Sequence, residues 1–220
     1  MNSFFTNRHG GFSHGDYSSW NLASHVGDDL ADVELNRTKL REQVGDFVVM
    51  SQVHGDTVVV VDKVPAEVPV ADALITNNPN LALVVMVADC IPLLLRSEEL
   101  VAAVHVGRAG LMNSIALKTV ARMRELGAMQ ISGSIGPAIC GSCYEVPQDL
   151  HDQVSAIHPL ASSKTRIGTP ALDLPKALIA ALAADDVPVV ISAGCTLEDD
   201  SYFSFRRDKV TGRQAGVIKL

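Results

Sequence analysis

A chain of 220 residues with 47% hydrophobic content can bury a sizeable core, and it fits one domain over residues 1–220 better than two. The formal net charge of -7 gives no general attraction for nucleic acid or anionic lipid, so an anionic ligand must be gripped by a local cluster of Arg or Lys. The start "MNSFFTNRHGGFSHG" lacks a signal-peptide pattern, no apolar stretch reaches membrane-span length, and four cysteines make no disulfide scaffold. A cytoplasmic protein with reduced Cys90, Cys140, Cys143 and Cys195 is expected.

The first 25 or so residues, rich in Gly, Ser, His and Asn, read as loops and short strands. Early acidic residues, Asn36, Leu40 and Val44 at helical spacing and Gly45 behind them predict a weakly capped helix over 28–45. "FVVMSQVHG" and "TVVVVDKV" predict two strands joined as a hairpin at Gly55 and Asp56. After a proline-containing loop at 65–69, "ADALIT", "LALVVMVADC", "IPLLL" and "LVAAVHVG" predict the centre of the sheet.

A helix with Ala116, Val120 and Met123 on one face should pack there, with Asn113 capping its start and Gly127 its end. "QISGSIGPAICG" reads as strand and loop, after which Pro147 opens a helix with Leu150, Val154 and Ile157 in period. Pro175 does the same for "KALIAALAADD". "VPVVISAG" and "SYFSF" supply late strands, and "RRDKVTGRQAGVI" a basic turn and a final strand. Strands that often follow one another directly, interleaved with helices, predict an α+β (mixed α/β) class: a single compact domain of mixed sheets flanked by helices.

Within "VVMVADCIPLLL", Asp89 and Cys90 interrupt a run fit for a buried strand, where an unpaired carboxylate is costly to desolvate. Three apolar segments end in a soft or borderline metal donor: "SQVHG" with His54, "VADC" with Cys90 and "AAVHVG" with His105. Two imidazoles and a thiolate suit zinc, and three ligands with an open fourth place mark a catalytic site. At separations of 36 and 15 positions, the spacing equally suits an ordinary buried thiol and two hydrogen-bonded edge histidines. Arg8, Arg206, Arg207 and Arg213 lie in loop contexts near the two chain ends, where guanidinium forks can grip phosphate, or remain solvated surface charges. "CGSC", Cys140 to Cys143, has dithiol spacing but no second cysteine pair, and it is expected to be dispensable for activity.

Several blocks together resemble one family: "NRHGGFSHGDYSSWNLASHVGDD", "NRTKL", "SQVHGDTV", "ADALITNNPNLALVVMVADCIPLLL", "VAAVHVGRAGLMNSIALKTVARM", "SIGPAICGSCYEVP" and "YFSFRRDKVTGRQAGVI". It is the laccase-domain family, first labelled multicopper polyphenol oxidoreductase and also called the peptidoglycan editing factor group. Its members are associated with zinc-dependent purine nucleoside phosphorolysis. The resemblance implies that His54, Cys90 and His105 bind the metal, zinc by preference and copper by family association. It also implies phosphorolysis of adenosine, inosine, guanosine or methylthioadenosine to base and ribose 1-phosphate, with adenosine deamination as a parallel activity.

Purine nucleosides and phosphate are then the partners, with no nucleic acid and no membrane. Phosphorolysis needs a positioned phosphate, for which Arg8, Arg207 and Arg213 are the candidates. Cys90, His105 and Asp89 are the catalytic candidates, Asp89 as a proton shuttle in deamination or as a structural acceptor. One departure stands out: the family usually reads HAGWRG where this chain has "HVGRAG", with Arg108 at the Trp position and Ala109 at the Arg position.

Three rival readings remain. Cys90 and His105 would equally suit a metal-free cysteine hydrolase or deamidase. A low-turnover factor in cell-wall precursor editing is the second. Copper-dependent phenol oxidation is the third, but the seven histidines never form the paired HxH segments it needs.

Overall fold

Two mixed sheets lie face to face in the computed structural model, which describes residues 3–220. In chain order the elements begin β1 (Ser3–Phe5), α1 (Leu30–Val44), β2 (Phe47–Val48), β3 (Val58–Val60), β4 (Ala73–Thr76), β5 (Ala82–Val87) and β6 (Ile91–Arg96). Next come β7 (Val101–Val106), α2 (Arg108–Met112), α3 (Ile115–Glu125), β8 (Ser132–Ile135), α4 (Gln148–Ile157), β9 (Ser162–Lys164) and β10 (Pro170–Leu172). The chain closes with α5 (Leu174–Ala183), β11 (Val189–Ile191), α6 (Phe205–Asp208) and β12 (Gln214–Ile218). One sheet has the strand order β1-β12-β5-β2 and the other β11-β8-β6-β7-β4-β3, while β9 and β10 form a small antiparallel pair.

The all-apolar run of β5 is explained by its place between two cores. Because side chains alternate along a strand, Leu83, Val85 and Val87 meet Leu74, Leu94 and Ala103 of the larger sheet, whereas Ala82, Val84 and Met86 pack toward Leu40 of α1. On the far face of the larger sheet, Ile91, Leu93, Leu95, Val104 and Val106 bury against Ile115, Val120 and Met123 of α3 and Leu178 and Leu182 of α5. The result is one domain layered helix, sheet, sheet, helix. Each large aliphatic side chain so buried stabilises by roughly 1.5–3 kcal/mol relative to exposure. Polar Asp89 and Cys90 are therefore tolerated only where the chain leaves one sheet for the other.

The helices begin and end as their residues dictate. Asp29 caps α1 by accepting from the Ala31 amide at 2.8 Å, and Gly45 ends it with φ of 78°, a backbone that disfavours any side chain. Asn113 accepts from the Ile115 amide at 3.1 Å at the start of α3, although Ser114 occupies the capping position itself. Val154 is buried in α4 and Leu150 packs against the core, but Ile157 is exposed.

Four expectations fail. No hairpin forms at Gly55 and Asp56: β2 pairs parallel with β5 and β3 parallel with β4, so the intervening segment crosses between sheets. The apolar run at 73–106 is not the centre of one sheet, since β5 belongs to the smaller sheet and β4, β6 and β7 to the larger. "SYFSF" is no strand, because its amides are satisfied elsewhere: Phe203 donates to the Gln214 side chain at 2.7 Å and Ser204 instead caps α6. The α1 ends are better capped than the sequence suggested. No helix among the described residues is long and apolar enough to cross a membrane.

Candidate metal centre and cavity

The chain passes from the smaller sheet to the larger between β2 and β3 and again between β5 and β6. His54 lies in the first crossing and Asp89 and Cys90 in the second. His105, near the end of β7, pairs across the sheet with Pro92, and Ile91, which follows Cys90, pairs with Val106. The three donors thus reach one end of the larger sheet. His54 and Asp89 both adopt left-handed backbone, with φ of 59° and 89°, which costs a non-glycine residue about 1–3 kcal/mol and persists only where neighbours hold it.

Asp72, fully buried just before β4, is what holds the first crossing. Its carboxylate accepts from the amides of Val53, His54 and Gly55 at 3.3, 3.0 and 2.7 Å, and from His105 Nδ1 at 2.8 Å. Asn113 adds a bond of 2.9 Å to the Gly55 carbonyl. Burial pushes the Asp72 carboxyl up, but the His105 and amide bonds outweigh it and hold it below the usual range. With Nδ1 engaged, His105 has Nε2 left for a ligand, the usual second-sphere arrangement of a metal-binding histidine.

The donor atoms of His54, Cys90 and His105 all lie within 4.8 Å of one another, and His54 Nε2 is 3.7 Å from Cys90 Sγ. The imidazole rings meet edge to face with centroids 4.7 Å apart. Burial pushes the Cys90 thiol up, but hydrogen bonding from His105 and His54 brings it down to about 6. Burial pulls His105 down, yet Asp72 and Cys90 raise it to about 9. Gly107 sits tight against this group: a Cβ there would lie 2.9 Å from His54 Cδ2 and 3.1 Å from Cys90 Sγ.

The donor set fits zinc. Tetrahedral Zn with Zn–S of ~2.3 Å and Zn–N of ~2.05 Å places sulfur and nitrogen roughly 3.6 Å apart, close to the separation found between Cys90 and His54. Three protein donors leave one coordination place, which is the catalytic rather than the structural pattern.

Beside the donors opens a cavity of about 340 Å³ whose walls include His25, Gln52, Met86, Phe205 and Arg213. Of the three arginines expected to meet an anion, only Arg213 lines it. Its guanidinium donates to the carbonyls of Thr211 and Gly212 at 2.9 Å and lies 5.9 Å from the Phe205 ring centre. Burial lowers its pKa, against the attraction of Cys90 and Asp89. Arg8 packs 5.0 Å over the Phe203 ring and donates to the Ser18 carbonyl. Arg207 is spent on the carbonyls of Thr196 and Tyr202 and on Asp208. Those two therefore meet the same C-terminal segment without entering the cavity wall.

Asp89, half-buried, answers the question that its place in an apolar run raised. Its Oδ1 accepts from Thr196 Oγ1 and Ser204 Oγ at 2.6 and 2.7 Å, and its Oδ2 accepts from the Arg206 amide at 2.6 Å. It pins the segment 195–208 beside Cys90. Arg108, at the departure from the family pattern, lies with Arg206 near Tyr144, whose hydroxyl burial pushes up and these two cations pull down. Sequence reasoning missed Asp72, Gly107, His25, Gln52 and Phe205. A signal existed for Asp72, an acid opening the apolar run "ADALIT"; Gln52, paired with the Met86 backbone at 2.8 and 3.0 Å, had none.

A separate apolar cavity of about 390 Å³, bordered by Cys140, Cys195, Ile179 and Ile191, contains no imidazole.

The chain is 43% identical to a purine nucleoside phosphorylase of Corynebacterium glutamicum, over 98% of this chain and 93% of that one. It is 42% identical to a purine nucleoside phosphorylase of Streptomyces griseus, with the same coverage of 98% and 93%. Among solved structures, YlmD from Geobacillus stearothermophilus superposes with a TM-score of 0.88 at 33% identity, covering 99% of this chain and 90% of that one. The family model described as multi-copper polyphenol oxidoreductase laccase matches residues 2–220, and the chain belongs to that family.

Proposed function

We propose that this protein is a zinc-dependent purine nucleoside phosphorylase, converting adenosine, inosine, guanosine or methylthioadenosine and phosphate to the base and ribose 1-phosphate. The observation that carries this reading is the meeting of His54, Cys90 and His105 at a cavity walled by a half-buried arginine, in a chain whose relatives bear that enzyme's name. His54, Cys90 and His105 hold the ion, which supplies a Lewis acid at the cavity. Arg213 grips the phosphate and aligns it with the ribose, so that attack becomes effectively unimolecular. Phe205 offers an apolar face to the purine. Asp72 keeps its bond to His105 Nδ1 and so fixes the ring, while Asp89 acts as a positioning residue for the segment that carries Phe205.

Adenosine deamination is a second reading of the same cavity. It needs a proton shuttle, and the carboxylate nominated from the sequence, Asp89, has both oxygens engaged, so phosphorolysis is better supported. A third reading also has a specific observation behind it: Asp72, His105 and Cys90 stand as orienter, base and nucleophile would in a cysteine hydrolase.

The deciding experiment incubates the zinc-loaded protein with adenosine and phosphate and assays adenine and ribose 1-phosphate. Both products are expected, with phosphate required. Inosine and ammonia instead would favour deamination. No turnover of any purine nucleoside by a metal-replete preparation would remove the phosphorylase reading in favour of an editing factor. A protein that takes up no zinc yet loses its function on alkylation of Cys90 would be the hydrolase.

A further inference from the structure

A second group of metal-type side chains lies apart from the cavity at His54, Cys90 and His105. The chain holds two short pairs of equal spacing, Cys140 with Cys143 and Cys195 with Glu198, each with two residues between. Each closes the same kind of turn. The amides of Cys143 and Tyr144 both donate to the Cys140 carbonyl at 3.0 Å, and those of Glu198 and Asp199 to the Cys195 carbonyl at 3.3 and 3.1 Å. A parallel bridge between Ala138 and Cys195, with the Thr196 amide on the Ala138 carbonyl at 3.1 Å, sets the turns against each other. The Cys140 amide then donates to Cys195 Sγ at 3.3 Å, and the amides of Leu197 and Glu198 also lie against that sulfur.

From this we infer that Cys140, Cys143, Cys195 and Glu198 form a second, structural metal site for zinc. Their four donor atoms lie within 4.8 Å of one another. A tetrahedral ion with Zn–S of ~2.3 Å needs sulfurs roughly 3.8 Å apart, so side-chain shifts on the order of 1 Å close the site. Three sulfur donors select zinc over magnesium or calcium, and a carboxylate completes the set with no vacant place. Arg166, ion-paired with Glu198, offsets the negative charge that three thiolates and a carboxylate leave on one divalent ion.

A dithiol switch fits less well. The Cys143 thiol donates to Glu198 at 3.2 Å and Cys140 Sγ contacts Ser142 Oγ at 3.3 Å, so both sulfurs have polar partners, and a disulfide gives Glu198 no role. The position gives the ion its task. Thr196, inside the second pair, donates to Asp89, and the Thr196 and Leu197 carbonyls receive Arg207. An ion here fastens the segment 195–208 to the turn at 140–143, and through Asp89 steadies the crossing that carries Cys90.

Metal analysis of the full chain tests this. After zinc loading and desalting, wild type should hold about two ions per chain, and the His54→Ala/Cys90→Ala variant about one, because only the open site is lost. With cobalt(II) in place of zinc, that variant should show an intense sulfur-to-cobalt charge-transfer absorption. Cys143→Ser should abolish the band. Since that change can impair folding, Glu198→Gln, which keeps every thiol, is the companion: cobalt affinity should fall about 10-fold or more with an unchanged circular dichroism spectrum. A folded His54→Ala/Cys90→Ala chain without metal or band overturns the inference, as does a disulfide among Cys140, Cys143 and Cys195 in protein purified without added oxidant.

Discussion

The two donor clusters are built in opposite ways. His54, Cys90 and His105 come from two sheet crossings and a strand end, and each is aimed by something else: Asp72 fixes His105, three amides bind the His54 turn to the same carboxylate, and Gly107 leaves just enough room. Cys140, Cys143, Cys195 and Glu198 come from two local turns of identical spacing, each closed by its own backbone bonds. The first set has three donors and faces a cavity, so an ion there keeps a place for chemistry. The second has four, so an ion there has no coordination place left open, even though Cys140 and Cys195 border the apolar cavity. Openness thus goes with long-range assembly, and closure with local turns.

The largest break is expected at the open cluster. Cys90→Ala or His105→Ala should remove the ion and lower phosphorolysis by more than ~100-fold, beyond what loss of a supporting partner costs. For Cys90→Ala, which removes only a half-buried thiol, the melting temperature of the metal-free protein should barely move, whereas His105→Ala should lower it, because it deletes a buried imidazole and leaves the Asp72 carboxylate without that partner; paired metal analysis and thermal melts check both. At the closed cluster the balance should reverse. Cys140→Ser with Cys143→Ser should cost about 3 kcal/mol of stability at zinc 100-fold above Kd. For a chain of this length that is roughly 6–12 °C in Tm, read by calorimetry with and without zinc. Activity at low temperature should fall only a few fold. A purely structural role therefore still agrees with the dispensability that the sequence suggested.

Smaller changes sharpen the contrast. Asp72→Asn and Gly107→Ala should each weaken zinc binding at the open site by about 10–100-fold, the first by freeing the His105 ring, the second by pressing on His54 and Cys90. Chelator competition in the Cys143→Ser background isolates that site; unchanged affinity would show that these partners do not set its geometry. Least is expected from Asp89→Asn, whose amide nitrogen cannot accept from the Arg206 N–H. About 1–2 kcal/mol of stability should go while the ion stays. If this variant instead loses metal first, Asp89 acts on the ion rather than on the segment 195–208.

Much of the site was legible because its residue types are chemically distinctive. His54, Cys90 and His105 stand at the ends of apolar runs, and Asp89 is conspicuous inside one. The supporting residues were harder to see. Gly107 and Gln52 work through missing volume and main-chain pairing, which leave no mark in residue type or spacing, and Asp72, though conspicuous as an acid opening an apolar run, shows nothing in sequence of the amides it binds. The arginines show the converse: Arg8, Arg207 and Arg213 look alike in sequence, yet burial and local acceptors turn two into braces and leave one at the cavity.

Most strands and helices, the approximate spans of α1, α3 and α5, and the three side chains able to share an ion could be read from the chain alone, since side-chain period, turn residues and donor chemistry are local properties. That β5 and β6, joined by three residues, belong to different sheets was visible only in the folded chain. The physical reason is that either pairing buries the same apolar runs. The choice therefore rests on hydrogen bonds from distant partners, β12 for β5 and β7 with β8 for β6. That choice turned Ala88, Asp89 and Cys90 from an awkward stretch of strand into the crossing that holds the site.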